Sequence, residues 1–256
     1  YNASQVVITM EDDTTFDACK SGEDVAKILE GLGEDVKIGC QAGTTGELYI
    51  KGDEDYGFAD LLSDICEIKG DYWIRFMTSH PKDLSDELIQ VMGECKHILP
   101  QFHLPVQHGN DEILRRMNRR YTREQYLDKV RKLRQAVPGI GLTTDIIVGF
   151  PGETHEQFLD TISLIREVGY SALYTFIYSP RVGTPGASMP DPVSATEKQQ
   201  WFEELQFAQE QVASKQSATT KGKTFRVLVE SRNKAGRLCG RNSGNTMIEF
   251  DGPDEL

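Results

Sequence analysis

The residues best suited to ligand chemistry follow a short apolar run in the middle of the chain. Residues 141–154 (GLTTDIIVGFPGET) begin with branched side chains typical of a strand buried on both faces, and at Gly149 they change to a turn. Thr154 and Gln157 have the spacing of a capping box, which predicts that a helix starts there. Because ligands of parallel α/β sheets bind at the carboxyl ends of the strands, this turn is a predicted ligand wall.

Polar side chains also end two other predicted strands. Ser79 follows the apolar residues 73–77, and Gln107 ends the segment 102–107. Both could hydrogen-bond a ribose or a carboxylate, although a buried glutamine at a strand end satisfies loop carbonyls about as often. These two residues are therefore candidates for the same ligand site.

A basic segment lies downstream of Gln107. Between residues 115 and 134 there are nine lysines or arginines and two acids, on a chain whose formal net charge is −12. Such a segment can contact nucleic acid, but ion pairs with acids such as Glu112 and Glu124 on a solvated helix face explain it about equally well. The arginines that could grip phosphates are Arg115, Arg116, Arg119 and Arg120.

The cysteines give no clear framework. They are odd in number and far apart, which predicts neither a set of disulfides nor a metal site. No apolar run approaches the roughly eighteen residues of a membrane span, and no signal-peptide core is present, so we expect a cytoplasmic protein that does not enter membranes. The five cysteines are Cys19, Cys40, Cys66, Cys95 and Cys239.

The strands and helices that must position these residues are predicted to form repeated βα units. Predicted strands alternate with predicted helices about six times before residue 217, which is typical of a parallel sheet, either open and doubly wound or an incomplete barrel. No GxGxxG follows the first strand, which disfavours a dinucleotide fold. After residue 217 the pattern changes to short strands of period two. We therefore predict an α/β domain over residues 1–217 and a small all-β domain over residues 218–256.

Four long motifs carry a resemblance to a known family. Residues 76–89, 103–122, 143–154 and 176–187 resemble the radical S-adenosylmethionine methylthiotransferases, and the tRNA-modifying type more than the type that modifies a ribosomal protein. The similarity is dense from about residue 58 to residue 250 and weak over residues 1–57. Four motifs in the same order are far more specific than any one short pattern.

The resemblance implies a fold and a reaction. The fold would be a partial TIM-like (β/α)6 radical SAM barrel followed by an incomplete, RNA-binding TRAM-like barrel. The reaction would add a methylthio group to C2 of an isopentenyl-modified adenosine beside the anticodon of tRNA. The implied cofactors are S-adenosylmethionine and a [4Fe–4S] cluster, and the implied partners are tRNA and an electron donor such as flavodoxin or ferredoxin. We expect the chain to be a monomer.

The resemblance also implies site residues. The cofactor would lie across the carboxyl ends of the strands, and a metal ligand would come from Cys19. Alternatives remain for single positions, because Cys40 could be a small buried thiol and Ile147 could be core packing. The implied cofactor-binding residues are Cys40, Gln41, Ser79, Gln107, Asp145, Ile147, Gly149 and Tyr178. The implied RNA-binding residues are Arg115, Arg116, Arg119, Arg120, Arg181, Lys223, Arg226 and Arg241.

The first loop departs from the family pattern. The family holds its cluster through CxxxCxxC after the first strand, and in this sequence only Cys19 can fill a ligand position. Asp12 and Phe16 stand where the other two cysteines would be, and phenylalanine cannot bind iron. Two interpretations therefore remain open. The chain is an altered or partial enzyme of this family, or a non-catalytic relative that binds RNA or S-adenosylmethionine.

Overall fold

A computed structural model describes residues 57–77 and 80–253, together with the backbone of three earlier strands. The strands are β1 Gln5–Met10, β2 Val36–Cys40, β3 Thr45–Ile50, β4 Tyr72–Met77, β5 Gln101–His103, β6 Gly141–Val148, β7 Ala172–Ile177, β8 Val227–Arg232, β9 Leu238–Asn242 and β10 Met247–Phe250. The helices are α1 Phe58–Cys66, α2 Asp86–Glu94, α3 Asp111–Arg116, α4 Arg123–Ala136, α5 His155–Val168 and α6 Ala195–Ala218.

Parallel strands form the centre of the molecule. Strands β5, β6 and β7 pair in parallel in that order. A parallel bridge between Ile74 and Ile98 sets β4 beside the segment that leads into β5. The predicted parallel α/β sheet is therefore confirmed for this part of the chain, and the carboxyl ends of β5 to β7 meet at one edge.

The first strands are arranged differently from the predicted βα repeat. Strand β1 lies between β3 and β4 and pairs antiparallel with both, and β2 pairs antiparallel with β3. The prediction that the strands before residue 217 join one parallel sheet was therefore wrong for β1 and β2, and β3 forms where a loop was expected. The physical reason is that the spacing of apolar residues indicates a strand but not its direction.

Helix starts agree with the sequence signals. Ser85 caps α2, because its side chain accepts a hydrogen bond from the backbone N–H of Leu88. Thr154 and Gln157 exchange side-chain and backbone bonds at the start of α5, which confirms the predicted capping box. The apolar faces of these helices pack on one side of the parallel sheet and build the main core.

A disulfide joins the first two helices. Cys66 at the end of α1 and Cys95 just after α2 are bonded, with their Cα atoms 6.0 Å apart. The expectation of no disulfide was therefore wrong for this pair. The reason is that 29 residues separate the two cysteines in sequence, and only the packing of α1 against α2 brings them together.

The C-terminal strands form a separate antiparallel sheet, in the order β10-β9-β8. It rests on the amino-terminal end of β4, where Leu228 packs with Trp73 and Leu99. Glu230 approaches Arg75 of β4 at 3.9 Å. The change to short strands predicted after residue 217 is thus confirmed, and these three strands pack against β4 and Leu99.

None of the helices in the described part of the chain combines the length and the apolar character that a membrane span requires.

Candidate functional site

A pocket of about 850 Å³ lies at the carboxyl ends of the parallel strands. Its floor is built by strand residues, and its rim is built by the segment after α3 and by the loop after β7. Eight of the residues singled out in the sequence line it together. They are Gln107, Arg115, Arg116, Arg119, Asp145, Ile147, Tyr178 and Arg181.

The alternation of β6 and β7 decides which side chains face the pocket. Along β6 the residues Asp145 and Ile147 are partly exposed, while their neighbours are buried against the helices. On β7 the residues in register with them are Tyr174 and Phe176, whose side chains are 52% and 53% exposed. The open face of the sheet is therefore aromatic and apolar near the pocket, with one carboxylate.

Gln107 joins the pocket through an unusual backbone conformation. Its φ is 72°, in the left-handed region that non-glycine residues rarely adopt. Its N–H donates to the carbonyl of Asp145 at 2.9 Å, and its carbonyl accepts from Ile147 at 2.9 Å. The side chain is 7% exposed, so the amide is held at the base of the pocket.

A buried carboxylate organises the glycine-rich turn. Oε2 of Glu153 accepts from the N–H groups of Gly149 at 2.6 Å and of Phe150 at 3.0 Å. Oε1 lies 2.7 Å from Nε2 of His108. Since Nδ1 of His108 accepts from the N–H of Asn110 at 3.0 Å, Nε2 carries the proton that is donated to the carboxylate. Glu153 is 1% exposed, so these bonds replace water completely.

The other side of the turn packs on a lysine of α6. Lys198 forms an ion pair with Asp191, and its side chain is buried. Its aliphatic stem covers Gly149, where an added Cβ would lie 2.6 Å from Cδ of Lys198. Gly149 also has φ +74°. Both the backbone conformation and the close approach therefore require glycine at this position.

Replacing Gly149 with alanine is expected to lower the free energy of unfolding by about 2–3 kcal/mol, because the left-handed conformation costs roughly 1–2 kcal/mol and Lys198 must also move. The matched control is Gly139→Ala, since Gly139 has φ +80° but nothing within 4 Å of the added Cβ. Urea unfolding of both variants gives their losses in free energy of unfolding, and the difference between the two losses measures the contact with Lys198. Equal losses would contradict it.

The basic residues of the rim have different surroundings. Arg115 donates to both oxygens of Glu112, at 2.6 and 3.0 Å, and its side chain is 72% exposed. Arg116 is instead turned inward, donating to the carbonyls of Pro151 and Gly152. The sequence left two explanations for these arginines, RNA contact or an ion pair on the helix face. Among the described residues, Arg115 forms such an ion pair and Arg116 does not.

Arg120 lies outside the main pocket, in a second groove of about 660 Å³ on the outer surface. His80 lines the same groove and contacts the ring of Tyr121 edge to face at 5.3 Å. Burial, followed by the charge of Arg119, lowers the pKa of His80. Cations Lys82 and Lys129 share this groove with acids of α4, so its charge is mixed.

The predicted RNA ligands after residue 217 do not line the pocket. Arg226 pairs with Asp71 and lies over the ring of Trp73 at 6.0 Å. Arg241 pairs with Glu230 at 3.4 Å. Lys223 is exposed in the segment before β8. Two of these three cations therefore form ion pairs within the chain.

Four predicted site residues cannot be placed in full. Cys19, Gln41 and Ser79 lie outside the described residues, and Cys40 is described only as the last backbone position of β2. In the part of the chain that is described, no group of three or more His, Cys, Asp or Glu side chains could hold a metal ion.

Sequence reasoning missed several residues of this site. Phe176 lines the pocket, as does Phe150 of the predicted ligand wall, which contacts Tyr178 edge to face at 5.1 Å. Glu153 and His108 hold the turn from below. Alternation along β7 could have indicated Phe176, but no local pattern reveals that two residues 45 positions apart will share a buried bond.

Comparison with known proteins gives a consistent picture. A model described as the radical SAM superfamily matches residues 19–165. A tRNA-2-methylthio-N(6)-dimethylallyladenosine synthase of Lachnoclostridium phytofermentans is 43% identical over 244 residues, which cover 93% of this chain and 53% of the relative. A protein with the same name from a Thermoanaerobacter species is 47% identical over 206 residues, covering 80% of this chain and 44% of the relative.

The extent of these matches is partial. The chain spans about half the length of the curated relatives it matches. Among solved structures, coproporphyrinogen III oxidase of Escherichia coli, a radical SAM enzyme, overlaps 69% of this chain and 46% of its own chain, with 15% identity and a TM-score of 0.44. That score is too low to assign a shared fold.

Proposed function

This chain belongs to the radical SAM superfamily, and from that premise we propose that it is a tRNA methylthiotransferase that modifies C2 of an isopentenyl-modified adenosine. The observation that carries the proposal is the pocket at the carboxyl ends of the parallel strands, beside an arginine-rich rim. The names of the two relatives support the same class of substrate.

S-adenosylmethionine is the proposed ligand of the pocket. The volume of the pocket is within the range of small-molecule sites. Its floor carries apolar side chains such as Ile147 and Phe176, and its rim carries polar groups that include four arginines. Ile147 and Phe150 would flank the flat adenine, with Gly149 and Tyr178 beside them, while Gln107 and Asp145 would bond to the hydroxyl and amino groups of the nucleoside. We also propose that Cys40, Gln41 and Ser79 contact the methionine end of the cofactor.

The residues of this chain do not fit the iron–sulfur cluster of the family. Cluster ligation requires three thiolates from CxxxCxxC, and the first loop offers Cys19 alone, with Asp12 and Phe16 at the other positions. The cluster is the family's means of delivering an electron to the cofactor. We therefore assign to the chain the binding and orientation of the cofactor and the exclusion of water from it, and no step that passes through iron.

The proposed polynucleotide partner is tRNA. Its phosphates would contact the rim through Arg115, Arg119 and Arg181, with Arg120 on the outer groove and Lys223 before β8. On this basis the parallel strands β4 to β7 would be part of a radical SAM barrel, and residues 218–256 part of a TRAM-like domain. We further propose that the protein is a cytoplasmic monomer.

A double substitution of the rim tests the RNA contact. Changing Arg115 and Arg119 to methionine is expected to weaken binding of an anticodon stem-loop and to lower the slope of log affinity against log salt by about 1–2, since each lost phosphate contact removes roughly 0.7–0.9. Arg166→Met, on the exposed face of α5, is the control. Fluorescence anisotropy at several KCl concentrations gives both quantities, and an unchanged slope would contradict the contact.

A second candidate function is favoured by the single cysteine of the first loop. In this case the chain is a non-catalytic relative that binds RNA or S-adenosylmethionine and does not cleave S-adenosylmethionine. Anaerobic incubation with S-adenosylmethionine, dithionite and stem-loop separates the two functions. Formation of 5′-deoxyadenosine supports the enzyme, and binding of both ligands without that product supports the non-catalytic relative.

A further inference from the structure

Arg116 has a role inside the protein that its neighbours lack. Its guanidinium donates to the carbonyl of Gly152 at 3.2 Å and to that of Pro151, and it lies 5.7 Å over the ring of Phe150. An added Cβ on Gly152 would lie 3.0 Å from Nη2 of Arg116, so the turn and the guanidinium are in close contact. All three residues belong to the turn after β6.

The start of helix α3 is bonded to the same turn. Asn110 caps the helix by accepting from the N–H groups of its first residues. The N–H of Asn110 donates to His108, and His108 donates to Glu153, whose other oxygen accepts from Gly149 and Phe150. The N–H groups of the turn are thus linked to the start of α3 through Glu153 and His108. The carbonyls of the turn are bonded to Arg116 at the end of α3.

The position of Phe150 is a direct consequence of this arrangement. Its ring lines the pocket, with Arg116 on one side and the edge contact to Tyr178 on the other. The bonds of the turn fix the backbone of Phe150, and the contacts of its ring with Arg116 and Tyr178 oppose rotation of the ring away from the pocket.

We propose that Arg116 is a positioning residue that holds the turn and the Phe150 ring in the shape the cofactor requires, and that it is not a polynucleotide ligand. The link to the cofactor rests on the proposed function, while the clamp on the turn does not. Arg115, one position earlier, is exposed, and within the described residues it pairs with Glu112 alone. The two adjacent arginines therefore have separable tasks.

Amide hydrogen exchange tests the clamp without any ligand. In Arg116→Met, the amides of Gly149, Phe150 and Glu153 are expected to exchange at least about tenfold faster, because two hydrogen bonds from a charged group are lost. Arg116→Lys should restore part of the protection, since an ammonium group can reach one of the two carbonyls. Arg115→Met is the matched control and should leave these amides unchanged. Unchanged exchange in Arg116→Met would overturn the proposal.

Binding measurements on the same variants separate the two roles. Arg116→Met is expected to weaken S-adenosylmethionine binding about tenfold and to leave stem-loop binding within about twofold, while Arg115→Met shows the reverse pattern. Loss of stem-loop affinity in Arg116→Met equal to that in Arg115→Met would overturn the assignment. If the unmodified chain binds neither ligand, the proposed function fails, and the exchange rates still decide whether Arg116 holds the turn.

Discussion

Replacing Glu153 with alanine is expected to lower the free energy of unfolding by about 3–5 kcal/mol, which makes it the most damaging single truncation near the site. Three buried donors lose their acceptor together, namely the N–H groups of Gly149 and Phe150 and Nε2 of His108. Each buried donor without a partner costs roughly 1–3 kcal/mol. Glu153 is fully enclosed, so water cannot replace the carboxylate unless the turn opens.

Two further variants make the Glu153 experiment decisive. Glu153→Gln keeps the shape but exchanges one acceptor for a donor, so we expect a smaller loss than for alanine. Glu156→Ala, on the exposed first turn of α5, should cost less than about 1 kcal/mol. Urea unfolding followed by tryptophan fluorescence gives all three values. A loss below 1 kcal/mol in Glu153→Ala would show that the turn does not depend on this carboxylate.

Restoring the missing thiolates is expected to change the iron content of the chain. The unmodified chain should hold little iron after anaerobic reconstitution, because its first loop has Cys19 but neither of the other two cysteines. The double substitution Asp12→Cys and Phe16→Cys recreates CxxxCxxC and should bring the content to about four irons per chain. Iron and acid-labile sulfide assays, with absorbance near the visible charge-transfer bands, measure the change.

The control for the cluster experiment is the same double substitution with Cys19→Ser. Removing the third thiolate should abolish the gain in iron, since three ligands are needed to hold the cluster. Stoichiometric iron in the unmodified chain would contradict the account, because it would require ligands other than those of the family motif. Equal iron with and without Cys19 would contradict it as well.

The β6 unit illustrates what the sequence predicts well. Branched apolar residues before Gly149 and the capping box at Thr154 act locally, and both the strand and the helix start appear where they were expected. The convergence of Gln107, Asp145 and Ile147 also followed from a general rule about the ends of parallel strands. Local patterns, one rule of topology and the family resemblance together indicated eight of the residues that line the pocket.

The roles of Arg116 and Glu153 illustrate what the sequence could not reveal. Arg115 and Arg116 are adjacent and have the same charge, so the sequence does not distinguish them. In the structure they point in different directions from α3: Arg115 forms an exposed ion pair, and Arg116 donates inward to the turn after β6. The direction of β1 to β3 and the bond between Cys66 and Cys95 likewise depend on contacts between distant segments. Periodicity and spacing carry no record of such contacts.

Equilibrium binding of S-adenosylmethionine to the chain tests most directly whether the ends of the parallel strands form its site. Calorimetry is expected to give a single saturable site, which Ile147→Glu weakens by about 100-fold or more because it places a carboxylate on the apolar wall. Val182→Glu, fully exposed on the loop after β7, should bind like the unmodified chain. Absence of saturable binding, or binding that Ile147→Glu leaves unchanged, would contradict this location of the cofactor.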